Sequence, residues 1–224
     1  MVGGGFNRTV DLPQVIPVFP LDGALLLPRA QLPLNIFEPR YLNMIDDAMA
    51  SERFIGMIQT REGGTRQNPR LARVGCAGRI TSFSETQDGR YLITLTGVCR
   101  FAVAAELGLQ SPYRQVRTDY AEFAVDLADI DQADMAGRDE LLAALKPYLE
   151  HHGMALDWGA ADKAPTASLV SSLCMALPFE PTEKQALLEA PDLAARHAAL
   201  VALLRIGGVA PLTDDGDDTP PRLQ

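Results

Sequence analysis

The fold is decided by the stretch PLNIFEPRY at residues 33–41, because two kinds of local pattern meet there. Before it, residues 12–20 are apolar and interrupted by prolines, which indicates an edge strand with its turns. After it, apolar residues recur at helical spacing from Tyr41 to Met49, which predicts a helix of about three turns. Pro39 suits the first turn of that helix, and Glu38 places a carboxylate at the positive end of the helix dipole.

The composition is that of a soluble globular protein. The 224 residues, 47% hydrophobic and 22% charged, suffice for one large or two modest domains. The net charge of −9 disfavours nucleic acid and anionic membranes as partners, because both repel an acidic protein. No run approaches the roughly 18 apolar residues that span a bilayer, and the N-terminus lacks the apolar core of a signal peptide. We therefore expect a cytoplasmic protein.

The cysteines and histidines give no sign of a metal site. Cys76, Cys99 and Cys174 have no CxxC spacing, so neither a disulfide framework nor a zinc site is indicated. Isolated cysteines in apolar contexts are typical of buried thiols in a reducing compartment. The neighbours His151 and His152 point in different directions on a helix, so joint ligation of a metal is poorly placed. We expect no metal and no cofactor.

The character of the chain changes once, near residue 125. Residues 12–124 contain short strands joined by turns, with one helix among them, which favours a small barrel or rolled sheet. Residues 125–208 carry apolar residues at helical spacing and predict a small helical bundle. Residues 1–11 are expected to be a disordered leader and residues 209–224 an acidic disordered tail. The expected class is α+β.

Local signals within the first part predict individual strands and turns. Residues 54–59 are mostly apolar and predict a central strand, followed by a polar loop at residues 60–70. Asp88-Gly89 predicts a hairpin turn, because this kind of turn needs positive φ. Gly97 is expected to interrupt the strand that returns from this turn.

Two signals in the second part concern where helices begin and end. Pro147 lies inside a helical pattern and is expected to kink or restart that helix. Thr182 and Gln185 stand three residues apart, as in a capping box, and predict the start of a short helix. Trp158 lies in a loop between helices, where it either anchors a partner or holds the loop against the core.

The sequence carries no recognisable catalytic motif. It contains no GxxxxGK[ST] loop, no GxGxxG after a strand and no HExxH. A serine nucleophile needs a base within hydrogen-bond reach, and nothing pairs Ser171 or Ser172 with one of the three lysines. We therefore assign no catalytic residues.

Several short stretches, in order between residues 13 and 206, carry a resemblance to a known family. They are IPVFPL (16–21), LP (27–28), IFEPRY (36–41), GRI (78–80), DGRY (88–91), GVCRF (97–101), LPF (177–179), EKQALLE (183–189) and LAAR (193–196). Together they resemble the N-terminal, substrate-binding domain of the ATP-dependent Lon proteases, a domain that also occurs alone.

The resemblance implies a PUA-like β pseudo-barrel subdomain followed by an α-helical subdomain. In Lon proteases this domain helps to capture unfolded or tagged polypeptides, whereas the ATPase and peptidase modules that follow have no counterpart in this sequence. The resemblance thus implies a non-catalytic polypeptide-binding or adaptor module, with a protease or chaperone as a candidate further partner. The alternative is a small-ligand or RNA binder that uses the barrel cleft.

The first candidate for a polypeptide-binding surface is the leucine loop, which consists of Leu25, Leu26 and Leu27. A run of leucines ending at Pro28 is expected to leave some side chain exposed, as a surface that captures unfolded chains requires. The alternative is that alternate leucines face the barrel core.

The second candidate is a barrel cleft near Phe37, Tyr41, Arg100 and Phe101. Arg100 stands beside an aromatic residue and could receive a carboxylate from a bound polypeptide. The alternative use of Arg100 is a structural salt bridge with Glu38.

Overall fold

A computed structural model describes residues 8–65, 68–108, 111–128 and 137–208. Its strands are β1 (Val15–Pro20), β2 (Gln31–Ile36), β3 (Phe54–Gly64), β4 (Pro69–Glu85), β5 (Tyr91–Glu106) and β6 (Arg114–Asp119). Its α-helices are α1 (Pro39–Met49), α2 (Arg138–His151), α3 (Trp158–Lys163), α4 (Thr166–Ala176), α5 (Pro181–Glu189) and α6 (Leu193–Gly207). The predicted α+β class is confirmed.

Two 3-10 segments complete the described secondary structure, at Thr9–Asp11 and Ala121–Leu127. The first lies inside the predicted leader, of which residues 1–7 are outside the described residues. The predicted tail, residues 209–224, is also outside them. The second 3-10 segment follows β6 and leads from the sheet toward the helices.

The six strands form one sheet that closes on itself. Their order is β2-β5-β4-β3-β1-β6, and β6 also pairs with β5, so five strands close a barrel and β2 extends it. β5 can pair with both β2 and β6 because each of these strands pairs with a different half of β5. Residues Tyr91 to Thr96 pair with β2, and residues Ala102 to Glu106 pair with β6. Closure in this way satisfies the backbone groups of strands that would otherwise lie at an edge.

The prediction of an edge position for β1 is wrong, because β1 lies between β3 and β6. Its prolines are tolerated there because the two neighbours use different parts of the strand. Pro17 pairs only with β6 and Pro20 only with β3, so each proline is matched on one side alone. The predicted loop at residues 60–70 is wrong as well, because β3 and β4 extend through most of it as paired arms.

The predicted start of α1 is confirmed. Glu38 is its N-cap and Pro39 stands in the first turn, where a missing N–H costs little. The hairpin turn at Asp88-Gly89 is confirmed too, because Gly89 has a φ of +77°. β5 continues through Gly97, but its pairing with β4 shifts register between Gly97 and Cys99, so the predicted interruption takes the form of a local irregularity within one strand.

Two predictions concern where helices begin and end. α2 is one continuous helix that includes Pro147, so it does not restart there, and a kink at Pro147 stays a prediction. α5 begins at Pro181, and its capping box is formed by Glu180 and Glu183, not by Thr182 and Gln185. The reason is that Pro181 fixes the first helical position, which moves the cap back to the preceding residue.

The barrel interior is filled by the ring of Phe101, which is fully buried. Two strands carry glycine where they face this ring. A Cβ at Gly56 would lie 2.9 Å from the ring, and a Cβ at Gly75 would lie 2.6 Å from it. Both distances are shorter than any real Cβ contact, so the two glycines create the space that the ring occupies.

The leucine loop is buried in full, so the expectation that some of it is exposed is wrong. It lies over a pair of glycines, Gly78 on β4 and Gly97 on β5, which face each other in the sheet. A Cβ at Gly78 would come within 2.6 Å of the Leu26 side chain. Backbone hydrogen bonds between Gly97 and Arg29 (2.8 Å) and between Gly97 and Ala30 (2.9 Å) hold the loop in place.

The barrel and the helices are joined through the side chain of Arg100, which is 1% exposed. Its Nε and Nη2 donate to the two carboxylate oxygens of Asp126 at 2.9 and 2.8 Å. Its Nη1 donates to the carbonyl oxygens of Leu188 and Ala190 at the end of α5. The guanidinium carbon also lies 4.8 Å from the centre of the Phe123 ring. One side chain therefore connects β5, the second 3-10 segment and the helical part.

A second polar connection ties α5 to the barrel. The buried Gln59 on β3 donates to the carbonyl oxygen of Pro181 and to the side chain of Gln185, both at 3.1 Å. Lys184 donates from Nζ to the carbonyl oxygen of Gly23 at 2.7 Å. Because buried polar groups need partners, the helical part completes the hydrogen bonding of the barrel.

Replacing Gly97 with alanine is expected to destabilise the protein strongly. The new Cβ would lie 2.1 Å from the carbonyl oxygen of Leu27, which is backbone and cannot rotate away. We expect the free energy of unfolding, measured by urea denaturation, to fall by about 3 kcal/mol. Gly108→Ala is the control, because no atom of the described residues lies within 4 Å of a Cβ there. Equal losses in the two variants would contradict this account of the leucine loop.

The cysteine thiols are expected to be inert in the folded protein. All three are buried and free, as predicted. Burial raises the pKa of Cys99 and Cys174 to about 12 and the pKa of Cys76 well above its usual value. Because the thiolate is the reactive form, DTNB at mildly alkaline pH should label none of them before unfolding and all of them in urea. Rapid labelling of one thiol under native conditions would show that its surroundings open readily.

Replacing Asp126 with alanine is expected to cost about 3–5 kcal/mol of unfolding free energy, because the Arg100 charge is left buried without its partner. Glu122→Ala is the matched control. It removes an exposed ion pair, with Arg73 at 3.3 Å, from the same 3-10 segment. The Glu122→Ala change should lower the free energy of unfolding by less than about 1 kcal/mol. Urea denaturation measures both, and similar losses would mean that the buried pair does not join the two parts.

Candidate functional site

A cleft of about 580 Å³ lies between the sheet and the helices. Residues 28–33, which lead into β2, line one side, and α4 with the start of α6 lines the other. Arg100, Val125 and Asp126 also line it, which places the cleft beside the connection between the barrel and the helices. A volume of this order is typical of sites for small ligands or short segments of a polypeptide.

The lining of the cleft is mainly apolar. Leu32 from β2, Met175 from α4 and Leu193 from α6 are packed against the core but remain partly exposed. Val125 is exposed and also contributes to the lining. These side chains can therefore still bury apolar surface against a ligand.

Helix α4 leaves room for the cleft because it turns small residues toward it. Ala167 and Ser171 are four residues apart, as are Ser168 and Ser172, and all of them line the cleft. Residues at this spacing share one face of a helix. The Ser171 hydroxyl donates to the carbonyl oxygen of Ala167 at 3.1 Å. The helix thus presents a surface that is small and partly polar rather than a row of large side chains.

Two buried arginines differ in how far their hydrogen-bonding groups are satisfied. Arg100 is paired with Asp126 through both carboxylate oxygens. Arg196 on α6 is 6% exposed and donates from Nε to the carbonyl oxygen of Leu187 at 2.8 Å. Its Nη2 is buried and has no hydrogen-bond partner among the described residues. Burial first, and then the neighbouring charge of Arg100, lower the pKa of Arg196.

The rim of the cleft is fixed by Arg29. This residue has a φ of +66°, a left-handed conformation that side chains other than glycine rarely adopt. Its backbone is bound to Gly97, and its Nη2 donates to the carbonyl oxygen of Ala128. A conformation of this kind persists only where the surroundings impose it, and such positions are concentrated at functional sites.

The structure separates the residues of the predicted second surface. Phe37 is 61% exposed and lies away from the cleft, with the Arg90 guanidinium 5.9 Å from its ring centre. Tyr41 is buried against Phe19, and Phe101 fills the barrel interior. Only Arg100 of the four lines the cleft. Whether any of these residues, or the leucine loop, contacts a polypeptide stays a prediction.

The predicted salt bridge between Arg100 and Glu38 is wrong. Glu38 pairs instead with its near neighbour Arg40 at 2.8 Å, on the surface. The true partner of Arg100 is Asp126. This residue is the one acid near the end of a mostly apolar 3-10 segment, and that position is the sequence signal that could have identified it.

Sequence reasoning also missed Arg196 as a site residue. Arg196 stands three residues after Leu193 and four before Leu200, so it falls on the apolar stripe of α6. A charged residue on such a stripe is buried together with its neighbours, and its spacing was the available signal.

The other candidate features of the sequence lie outside the cleft. Within the described ranges, no group of three or more His, Cys, Asp or Glu side chains could hold a metal ion. No helix of the described part is long and apolar enough to cross a membrane. Trp158 begins α3 and is exposed, while His151 and His152 end α2 in exposed positions.

Comparison with known proteins places the whole of this architecture in one domain of larger proteins. The Lon protease of Syntrophus aciditrophicus is 25% identical over 199 residues, which are 85% of this chain and 25% of that protein. Lon protease 2 of Myxococcus xanthus is 28% identical over 211 residues, 91% of this chain and 25% of that protein. The chain therefore spans about a quarter of the length of these curated relatives.

Two solved structures share the fold. The Lon N-terminal domain protein from Xanthomonas campestris has a TM-score of 0.58 and 24% identity, and covers 84% of this chain and 97% of its own. The N-terminal domain of the Mycobacterium avium complex Lon protease has a TM-score of 0.59 and 18% identity, with coverages of 85% and 97%. A family model, ATP-dependent protease La (LON) substrate-binding domain, matches residues 15–205. The chain belongs to this family of LON substrate-binding domains.

Proposed function

We propose that the chain binds polypeptides and catalyses no reaction itself. The observation that carries this proposal is the largely apolar cleft between sheet and helices, within the region that matches the substrate-binding family. Unfolded chains expose apolar side chains that folded proteins bury, and such side chains gain free energy on entering an apolar cleft. A concave site of this kind can therefore select unfolded polypeptides.

The cleft is a better candidate surface than either predicted one. The leucine loop offers no exposed area, since all three side chains are buried. Phe37 is exposed, together with Phe83 and Leu92 near the β4–β5 hairpin, but none of these residues lines the cleft. A concave site buries more of a bound side chain than a convex surface does. We therefore place polypeptide binding in the cleft and treat the surface at Phe37 as a separate candidate.

The polar groups of the cleft support binding rather than catalysis. Serines of α4 line it, but no histidine or lysine does so among the described lining residues. A serine nucleophile needs such a base within reach. In this proposal a separate protease would cleave the bound polypeptide. A chaperone is the other candidate partner. Three buried free thiols support a location in the reducing cytoplasm.

A small-ligand binder is the second candidate function. The cleft volume of about 580 Å³ lies in the range of small-molecule sites, which is the observation in favour. RNA is the weaker form of this alternative, because the net charge of −9 opposes a phosphate backbone.

The proposal is tested by fluorescence anisotropy with a labelled, permanently unfolded polypeptide, and with the folded form of the same polypeptide as control. Ala176→Trp fills the cleft from an exposed position on α4 and should weaken binding about tenfold, a loss of about 1.4 kcal/mol. Ala198→Trp adds the same bulk at an exposed position on α6 that does not line the cleft, and should leave affinity unchanged.

The possible outcomes separate the candidate surfaces. Equal binding of folded and unfolded polypeptide, or no binding of either, would contradict the proposed function. Binding that resists Ala176→Trp but is lost in Phe37→Ser would move the site to the hairpin end, since Phe37 is more exposed than Phe83 and Leu92 there.

A further inference from the structure

The charges that line the cleft do not balance. Among the described residues, three arginines and two aspartates contribute to the lining, which leaves one positive charge in excess. Asp126 is committed to Arg100. Asp192 uses its Oδ1 to accept from the backbone N–H of Ala195, as the cap of α6. Neither aspartate makes a hydrogen bond with Arg196 or with Arg29 in the described part of the chain. Arg29 is exposed, so Arg196 is the buried arginine of the lining that has no carboxylate partner among the described residues.

Arg196 is an exception to the usual behaviour of buried charges. A guanidinium stays protonated in proteins, and buried charges are normally paired because removing them from water is costly. Its bond to the Leu187 carbonyl accounts for Nε alone and has a structural role in the turn between α5 and α6. The Nη2 has neither a hydrogen-bond partner among the described residues nor surface open to the cleft, but it belongs to the guanidinium group of a residue that lines the cleft. An anionic group in the cleft would therefore neutralise a guanidinium of which only Nε has a described hydrogen bond.

We propose that the cleft receives the terminal carboxylate of a bound polypeptide, with the Arg196 guanidinium as its donor and the apolar last residues against Leu32, Met175 and Leu193. This inference rests on the proposed function. Guanidinium groups bind carboxylates through directed, charge-assisted hydrogen bonds, which are stronger than neutral ones.

Two features of the cleft favour a chain terminus over other anions. The excess of one positive charge matches a single carboxylate, whereas a doubly charged phosphate would leave an unbalanced negative charge beside Asp126 and Asp192. An acidic side chain within a polypeptide would bring two continuations of the chain into about 580 Å³, but a terminus brings one. A small apolar acid offers the same chemistry, and the experiment separates the two sources.

The test compares two labelled peptides of the same apolar sequence, one ending in a free carboxylate and the other in an amide. We expect the free acid to bind the unaltered full chain about tenfold more tightly or better, as hydrogen bonds between charged groups do. Arg196→Gln should remove this preference. Arg205→Gln is the matched control, because Arg205 is an exposed arginine on the same helix and pairs with Glu140 outside the cleft.

Each outcome bears on a different part of the argument. Equal affinity of acid and amide for the unaltered chain would overturn the carboxylate site but leave polypeptide binding intact, and this comparison stands even if Arg196→Gln fails to fold. A preference that survives in Arg196→Gln would also overturn it. Binding of neither peptide would remove the proposed function as well. Octanoate that binds through Arg196 while the peptides show no preference would replace the chain terminus with a small acid.

Discussion

The structure depends on the buried ion pair between Arg100 and Asp126. Arg100 extends from β5, the strand that pairs with β2, β4 and β6. Its side chain reaches both the second 3-10 segment and the end of α5. A buried pair adds little net stability over a well-packed apolar contact, but its hydrogen bonds are directional, and losing one partner leaves a costly charge. The pair therefore fixes where the helices sit on the barrel, and this placement in turn creates the cleft.

The barrel itself is shaped by residues that lack side chains. Gly56 and Gly75 make room for the ring of Phe101, and the facing pair Gly78 and Gly97 makes room for the leucine loop. In both cases a large apolar side chain occupies space that a Cβ would remove. Close packing of this kind leaves little tolerance for added volume, so these glycines act through the core rather than through backbone flexibility.

The parts of the fold that could be predicted are those that depend on neighbouring residues. Pro39 and Glu38 predicted the start of α1, and Asp88-Gly89 predicted a hairpin turn. The central position of β1 and the burial of the leucine loop depend on strands distant in sequence, so local patterns could not reveal them. Sequence separation does not explain the wrong partner predicted for Arg100, because Asp126, 26 residues away, is nearer in the chain than the predicted Glu38. The cleft is formed by segments far apart in the chain, and no single stretch encodes it.

The two arginines beside the cleft differ in their roles. Arg100 joins parts of the fold, whereas Arg196 is the proposed contact for a ligand. Every guanidinium nitrogen of Arg100 donates to a described partner, so its burial is offset within the fold. Arg196 is almost as deeply buried, yet its Nη2 has no described partner. An apolar side chain at this position would avoid the desolvation cost, but it would leave the Leu187 carbonyl without this donor. That bond explains the burial of Nε, and the proposed anionic ligand would offset the burial of the rest of the guanidinium.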